Sequence, residues 1–107
     1  MFIKEVCENY PELKHAKNKV IIIGYSFCPY SRKAIALAKE YFGSDYYFLQ
    51  FHSHEESGEF RRKIGYFSTD REENNFPVIF IREGNKYDFV KGGATGFERL
   101  LQNFYFV

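Results

Sequence analysis

The chain reads as an α/β protein: one four-stranded mixed sheet flanked by helices. Three observations carry that reading. Val20–Tyr25 opens with four β-branched residues in a row and shows no alternation, as in a strand buried on both faces. Apolar stripes at i, i+3, i+4 and i+7 stand at both ends of the chain, Ile3/Val6/Cys7/Tyr10 and Phe97/Leu100/Leu101/Phe104, and each predicts a helix. With 107 residues and 45% apolar content the chain can fill one core but hardly two, so a single domain over residues 1–107 is expected.

The elements follow in order. After the first helix Pro11 interrupts, and Glu12–Asn18 reads as a second short helical piece. Ser26–Pro29 is a loop, and Ser31–Phe42 a helix with Ala34, Leu37, Ala38 and Tyr41 on its apolar face, ended by Gly43. Tyr46–Phe51 is an aromatic strand, so the chain from Val20 to Phe51 forms a right-handed βαβ unit with parallel strands. Ser53-His54-Glu55-Glu56 has capping-box spacing and opens a helix that turns Phe60 and Ile64 inward and closes at Gly65. Tyr66–Phe76 is polar and rich in turn formers, the longest loop. Val78–Ile81 and Tyr87–Val90 are the arms of a hairpin across Arg82–Lys86, and Gly92-Gly93 separates it from the last helix.

Fifteen basic against fourteen acidic side chains leave a charge of only +1, which argues against nucleic acid or an anionic membrane as partner. No apolar run approaches the roughly 20 residues of a membrane span. Lys4, Glu5, Glu8 and Glu12 break Met1–Asn18 as a signal peptide. Two cysteines are too few for a secreted disulfide scaffold, so a soluble protein of a reducing, cytoplasmic compartment is expected. His15, His52 and His54 form no Cys/His cluster, and no metal site is expected.

Chemistry concentrates at Cys28-Pro29-Tyr30-Ser31, between the first strand and its crossover helix. Ligands of parallel α/β sheets bind beyond the carboxyl ends of the strands, where this loop lies. A sulfur at a helix N-terminus meets unpaired N–H groups and the positive end of the macrodipole, which stabilise a thiolate and lower its pKa. Arg32 and Lys33 add positive charge, and Ser31, at i+3, is placed to donate a hydrogen bond to the sulfur. Cys7, on an apolar stripe, reads as a packing residue.

Cys28-Pro29-Tyr30-Ser31 after a strand, Phe76-Pro77-Val78-Ile79-Phe80-Ile81, and Gly92-Gly93 before the final helix, taken together, resemble the glutaredoxins across roughly Val20 to Leu101. The resemblance implies a thioredoxin-like fold and glutathione as co-substrate. The usual motif of that family is Cys-Pro-Tyr-Cys, so Ser31 stands where the resolving cysteine would be, and the chain looks like a monothiol variant. The resemblance also implies a cis-proline at Pro77. Phe76 would pair through its backbone with the glutathione cysteinyl unit. Gly93, Ala94 and Thr95 would form the cradle for the γ-glutamyl carboxylate, with Thr95 capping the helix. Tyr25 and Tyr30 complete the glutathione-binding set.

Three positions depart from the family pattern: Tyr25 stands for a lysine, Asn75-Phe76-Pro77 for Thr-Val-Pro, and Gly96 for an aspartate. The glycyl carboxylate thereby loses its expected cation; Arg61, Arg62 and Arg71 are candidates to replace it, though each taken singly reads first as a solvated surface cation. The expected function is reduction of glutathione mixed disulfides, on glutathionylated proteins or small disulfides, by a monomer. The alternatives are a dimeric carrier of a [2Fe–2S] cluster ligated by Cys28 and glutathione, and a redox-silent binding module of the same fold. An arsenate-reductase-like protein fits the Phe-Pro-Val and Gly-Gly context less well.

Overall fold

A computed structural model describes residues 3–64 and 76–105. The elements are α1 (Ile3–Asn9), a single 3-10 turn (Pro11–Leu13), β1 (Val20–Tyr25), α2 (Pro29–Phe42), β2 (Tyr46–Phe51), α3 (His54–Ile64), β3 (Val78–Glu83), β4 (Lys86–Val90) and α4 (Gly93–Phe104). The strands form one sheet in the order β2-β1-β3-β4. β1 runs parallel to β2, with Val20 opposite Tyr46 and Tyr25 opposite Phe51. It runs antiparallel to β3, which is in turn antiparallel to β4. This is the four-stranded mixed sheet flanked by helices that the sequence implies.

β1 is central, and all its residues from Val20 to Gly24 are buried. Because strand side chains alternate, Ile21 and Ile23 enter one core layer, with Val6, Leu13, Phe51, Phe60 and Phe80, beneath α1 and α3. Val20 and Ile22 enter the other, with Ala34, Ala38, Ile79, Phe97 and Leu101, beneath α2 and α4. That division explains the unbroken aliphatic run: each face of the strand has helices to cover it.

Several boundaries move. Residues from Lys14 to Asn18 are not helical; only Pro11–Leu13 winds, buries Leu13, and stops. α2 begins at Pro29 rather than Ser31, since proline suits the first helical position. The hairpin is tighter than expected: Glu83 pairs with Lys86, leaving Gly84-Asn85 as a two-residue turn. Gly84 takes φ +64 at the first turn position and among the described residues no non-glycine residue, Asn85 included, has positive φ, the II′ pattern. Leu37 and Tyr41 on the α2 stripe and Leu100 on the α4 stripe are only half-buried, and Phe104, at the end of α4, is exposed. Gly65, the expected Tyr66–Phe76 loop except for Phe76, and with it Arg71 lie outside the described residues.

α3 starts as its sequence demands. Ser53 Oγ accepts the Glu56 N–H at 3.2 Å, and the Glu56 carboxylate accepts the His52 N–H at 2.7 Å. The return bond of the capping box lands one residue earlier than in the usual arrangement. Among the described residues no helix is long and apolar enough to cross a membrane.

Candidate functional site

Cys28 is the N-cap of α2, with extended backbone (φ −82°, ψ 126°). Its N–H donates to Tyr25 O at 3.3 Å and its carbonyl accepts the Arg32 N–H at 3.1 Å, so the residue hinges strand to helix. Its sulfur makes no capping bond and is half-buried. Arg32 Nε donates to Ser26 O at 3.1 Å and ties the two ends of the loop together. Lys33 pairs with Glu98 at 3.2 Å, joining α2 to α4. The positive charge expected from Lys33 is therefore offset by a partner, and Arg32 serves first as a clamp.

Two clefts meet at Phe76. One, of about 380 Å3, is lined by Tyr30, Phe76, Pro77, Gly92, Gly93, Ala94 and Thr95. The other, of about 460 Å3, is lined by Tyr25, Cys28, His54, Ser57, Gly58, Arg61 and Phe76. Both volumes fall within the roughly 300–1,000 Å3 of small-molecule sites. The residues singled out from sequence line these two adjoining clefts, Cys28 the second of them, apart from Pro29 and from Ser31, which lies beneath the surface.

The Phe76–Pro77 peptide is cis, as the resemblance implies. The β1–β3 ladder begins at Val78, opposite Ile23, so Phe76 lies outside it. The Phe76 ring packs edge-on against Tyr25, Phe51 and Phe60, and the Arg61 guanidinium lies 5.0 Å from its centre.

Two expectations need correction. Thr95 does not cap α4: the cap is Gly92, at φ +88, with Gly93 at φ +57 following it, and Thr95 is the third helical residue, exposed. A chain that turns through two left-handed residues needs glycine at both, which sets the helix start two residues before Thr95. The first helical bond runs from Gly96 N to Gly92 O at 3.0 Å, so the N–H groups of Gly93, Ala94 and Thr95 precede any intrahelical acceptor. Three open N–H groups therefore remain at the start of α4 although the cap residue differs. A Cβ on Gly93 would lie 3.6 Å from Pro77 O, which shows how closely the α4 start packs on the proline.

The second correction concerns Ser31. Its hydroxyl is fully buried and has no hydrogen-bond partner, the Cys28 sulfur included. It fills the space left by Gly24, where a Cβ would come within 2.5 Å of Ser31 Oγ and 3.4 Å of the Pro77 Cα. The i+3 position brings Ser31 under the loop, but its side chain points at the β1 backbone. An orphaned buried hydroxyl costs about 1–3 kcal/mol. Ser31→Ala is therefore expected to stabilise the fold by about 1 kcal/mol, read as a rise in melting temperature; a fall would mean that the hydroxyl has a partner in solution.

Tyr25 is placed as expected but engaged differently. Its hydroxyl donates to Ser57 Oγ and lies 3.3 Å from His54 Nδ1, while Ser57 Oγ donates to His54 O at 2.9 Å. The phenol proton is therefore spent on α3. Of the two candidate cations among the described residues, Arg61 and Arg62, it is Arg61 that lines the cleft with Cys28. His54, Ser57 and Gly58 join it there without having been singled out by any motif. Their signal is nonetheless in the sequence: with Arg61 they fall at i, i+3, i+4 and i+7, a polar face of α3. Burial pushes the Cys7 thiol up, opposed in part by the charge of Lys14, as suits a packing residue. Among the described residues no group of three or more His, Cys, Asp or Glu side chains could hold a metal ion.

No family model matches the sequence, and no curated protein matches it. Solved structures do. The solution structure of the dithiolic glutaredoxin 2-C-Grx1 from Trypanosoma brucei brucei superposes with a TM-score of 0.61 at 24% identity, over 84% of each chain. The crystal structure of oxidized glutaredoxin 2 from Chlamydomonas reinhardtii gives 0.56 at 22% identity, over 96% of each chain. Sheet order, strand directions and these superpositions agree: the chain has the thioredoxin-like fold of the glutaredoxins.

Proposed function

We propose that the chain is a glutathione-dependent thiol–disulfide oxidoreductase with Cys28 as its nucleophile, acting on glutathione mixed disulfides by a monothiol route. The observation that carries this reading is the shared rim at Phe76: a cysteine at a helix N-terminus on one side, and the open N–H groups of a second helix N-terminus on the other. A tripeptide with a carboxylate at one end and a sulfur in its middle suits that spacing. Its γ-glutamyl carboxylate sits at the N–H groups of Gly93, Ala94 and Thr95. Its cysteinyl unit lies along Phe76 and Pro77 beside Tyr30, and its glycyl end turns toward Tyr25 and Arg61.

The Cys28 thiolate attacks the glutathionyl sulfur of the mixed disulfide. A Cys28–glutathione bond forms, the original S–S bond breaks, and the leaving thiolate takes a proton from water. The thiolate of a second glutathione then attacks the bound glutathionyl sulfur, giving oxidised glutathione and restoring the Cys28 thiolate. Neither step uses a second protein thiol, so serine at position 31 is compatible with turnover.

The test is a coupled assay with a glutathionylated small disulfide and glutathione: turnover supports the reading, and none in folded protein overturns it. Thr95→Pro removes one N–H from the cradle at a position where the first helical turn tolerates proline. It is expected to raise KM for glutathione about tenfold or more, since a hydrogen bond to a charged group contributes about 1.5–3 kcal/mol and about 1.4 kcal/mol is tenfold. An unchanged KM would take the α4 terminus out of the site.

A further inference from the structure

Three large hydrophobic side chains stand exposed among the described residues: Phe27 at 55%, Tyr30 at 60% and Phe104 at 72%. Two of the three flank Cys28, one position before it and two after. Tyr30 lines the cleft toward α4, but Phe27 lines neither cleft of the site. Its ring leans on Tyr25, with centroids 5.0 Å apart, and more than half of its surface stays open. An aromatic ring held in the open beside a nucleophile is unused by anything that binds in the two clefts.

We propose that Phe27, with Tyr30, docks the polypeptide that carries the leaving sulfur, and so favours substrates with an apolar or aromatic residue next to the modified cysteine. The proposal rests on the assignment of Cys28 as nucleophile. Displacement at sulfur is in line: as the bond from Cys28 to the attacked sulfur forms, the bond to the leaving cysteine breaks on the far side. The electron pair departs on that cysteine, which takes a proton from water. With S–S distances of about 2 Å or slightly more on either side of the attacked sulfur, the leaving sulfur in the transition state lies only about 4–5 Å from Cys28. Its chain must therefore cross the rim at once. The clefts toward α4 and α3 hold the tripeptide, and the rim they leave is where Phe27 stands.

Charge narrows the occupant further. No Asp or Glu occurs from Val20 to Lys39, whereas Arg32, Lys33 and Lys39 do. With Lys33 paired to Glu98, exposed Arg32 is the cation nearest the docking rings in sequence. An acidic residue beyond the apolar neighbour of the substrate cysteine meets attraction there.

The test uses peptides whose single cysteine is capped as its methyl disulfide, one with Phe beside the cysteine and one with Ser, each with the same glutamate. Transfer of the methylthio group to Cys28, followed by mass spectrometry after mixing with reduced protein, reports attack that expels the peptide thiolate in the absence of glutathione. Each rate is divided by that of the same peptide with dithiothreitol, after subtraction of the Cys28→Ser background. The Phe peptide is expected to react roughly three- to tenfold faster, the effect of one aromatic pair. Phe27→Ser should bring the ratio close to one and Phe27→Trp should keep it. A ratio near one in the parent, or a ratio that survives Phe27→Ser, overturns the proposal. A chain that shows the preference but fails the coupled glutathione assay supports this surface and overturns the glutathione reading alone.

Discussion

Cys28→Ser is expected to reduce glutathione-coupled turnover to the uncatalysed background. A hydroxyl at this position is neither ionised near neutral pH nor a competent leaving group in sulfur exchange, so both half-reactions stop. The substitution is small and Cys28 makes no side-chain capping bond, so α2 and the fold should persist. The comparison is Cys7→Ser, on α1 and packed against the core beneath α1 and α3. That variant should keep most of the activity and lose some stability, because a hydroxyl enters an apolar surface. Loss of activity in folded Cys7→Ser would make Cys7 a resolving thiol and would end the monothiol reading.

Gly96→Asp is expected to destabilise the fold severely. A Cβ on Gly96 would lie 1.8 Å from Lys91 O and 2.8 Å from Lys91 C. Both are backbone atoms, so no rotamer relieves the clash. Gly92 is pressed from the other side, since a Cβ there would lie 3.1 Å from Gly96 Cα. The turn that starts α4 must open before any side chain fits. Overpacking a core costs about 1–3 kcal/mol, and here the obstacle is main chain, so a cost of about 3 kcal/mol is expected. That corresponds to a fall in melting temperature on the order of 10–20 °C, which thermal unfolding followed by circular dichroism would read. A variant that melts within a few degrees of the parent would show that the Lys91–Gly92 turn yields easily. The aspartate of the glutaredoxin pattern is thus excluded by the backbone of this chain, and any recognition of the glutathione amino group has to come from elsewhere.

The amino-acid order by itself determined the elements and their layering. A run of four β-branched residues needs cover on both faces, the helical stripes supply it, and both signals are local enough to read along the chain. It also placed Cys28 at a helix start, because strand, loop and Pro29 leave few other geometries. Tertiary structure decided the direction in which each functional side chain points. Ser31 turns to Gly24 instead of to the sulfur because the missing Cβ opens room on β1, 7 residues away in the chain but adjacent in space. Tyr25 gives its proton to Ser57 because parallel pairing with β2 delivers α3 beside the end of β1. Gly92 takes the capping position from Thr95 because the α4 start must fold back against Pro77. Periodicity reports which face of an element is apolar. Which hydrogen-bond partner a polar group finds depends on distances between elements far apart in sequence, and those exist only once the sheet has assembled.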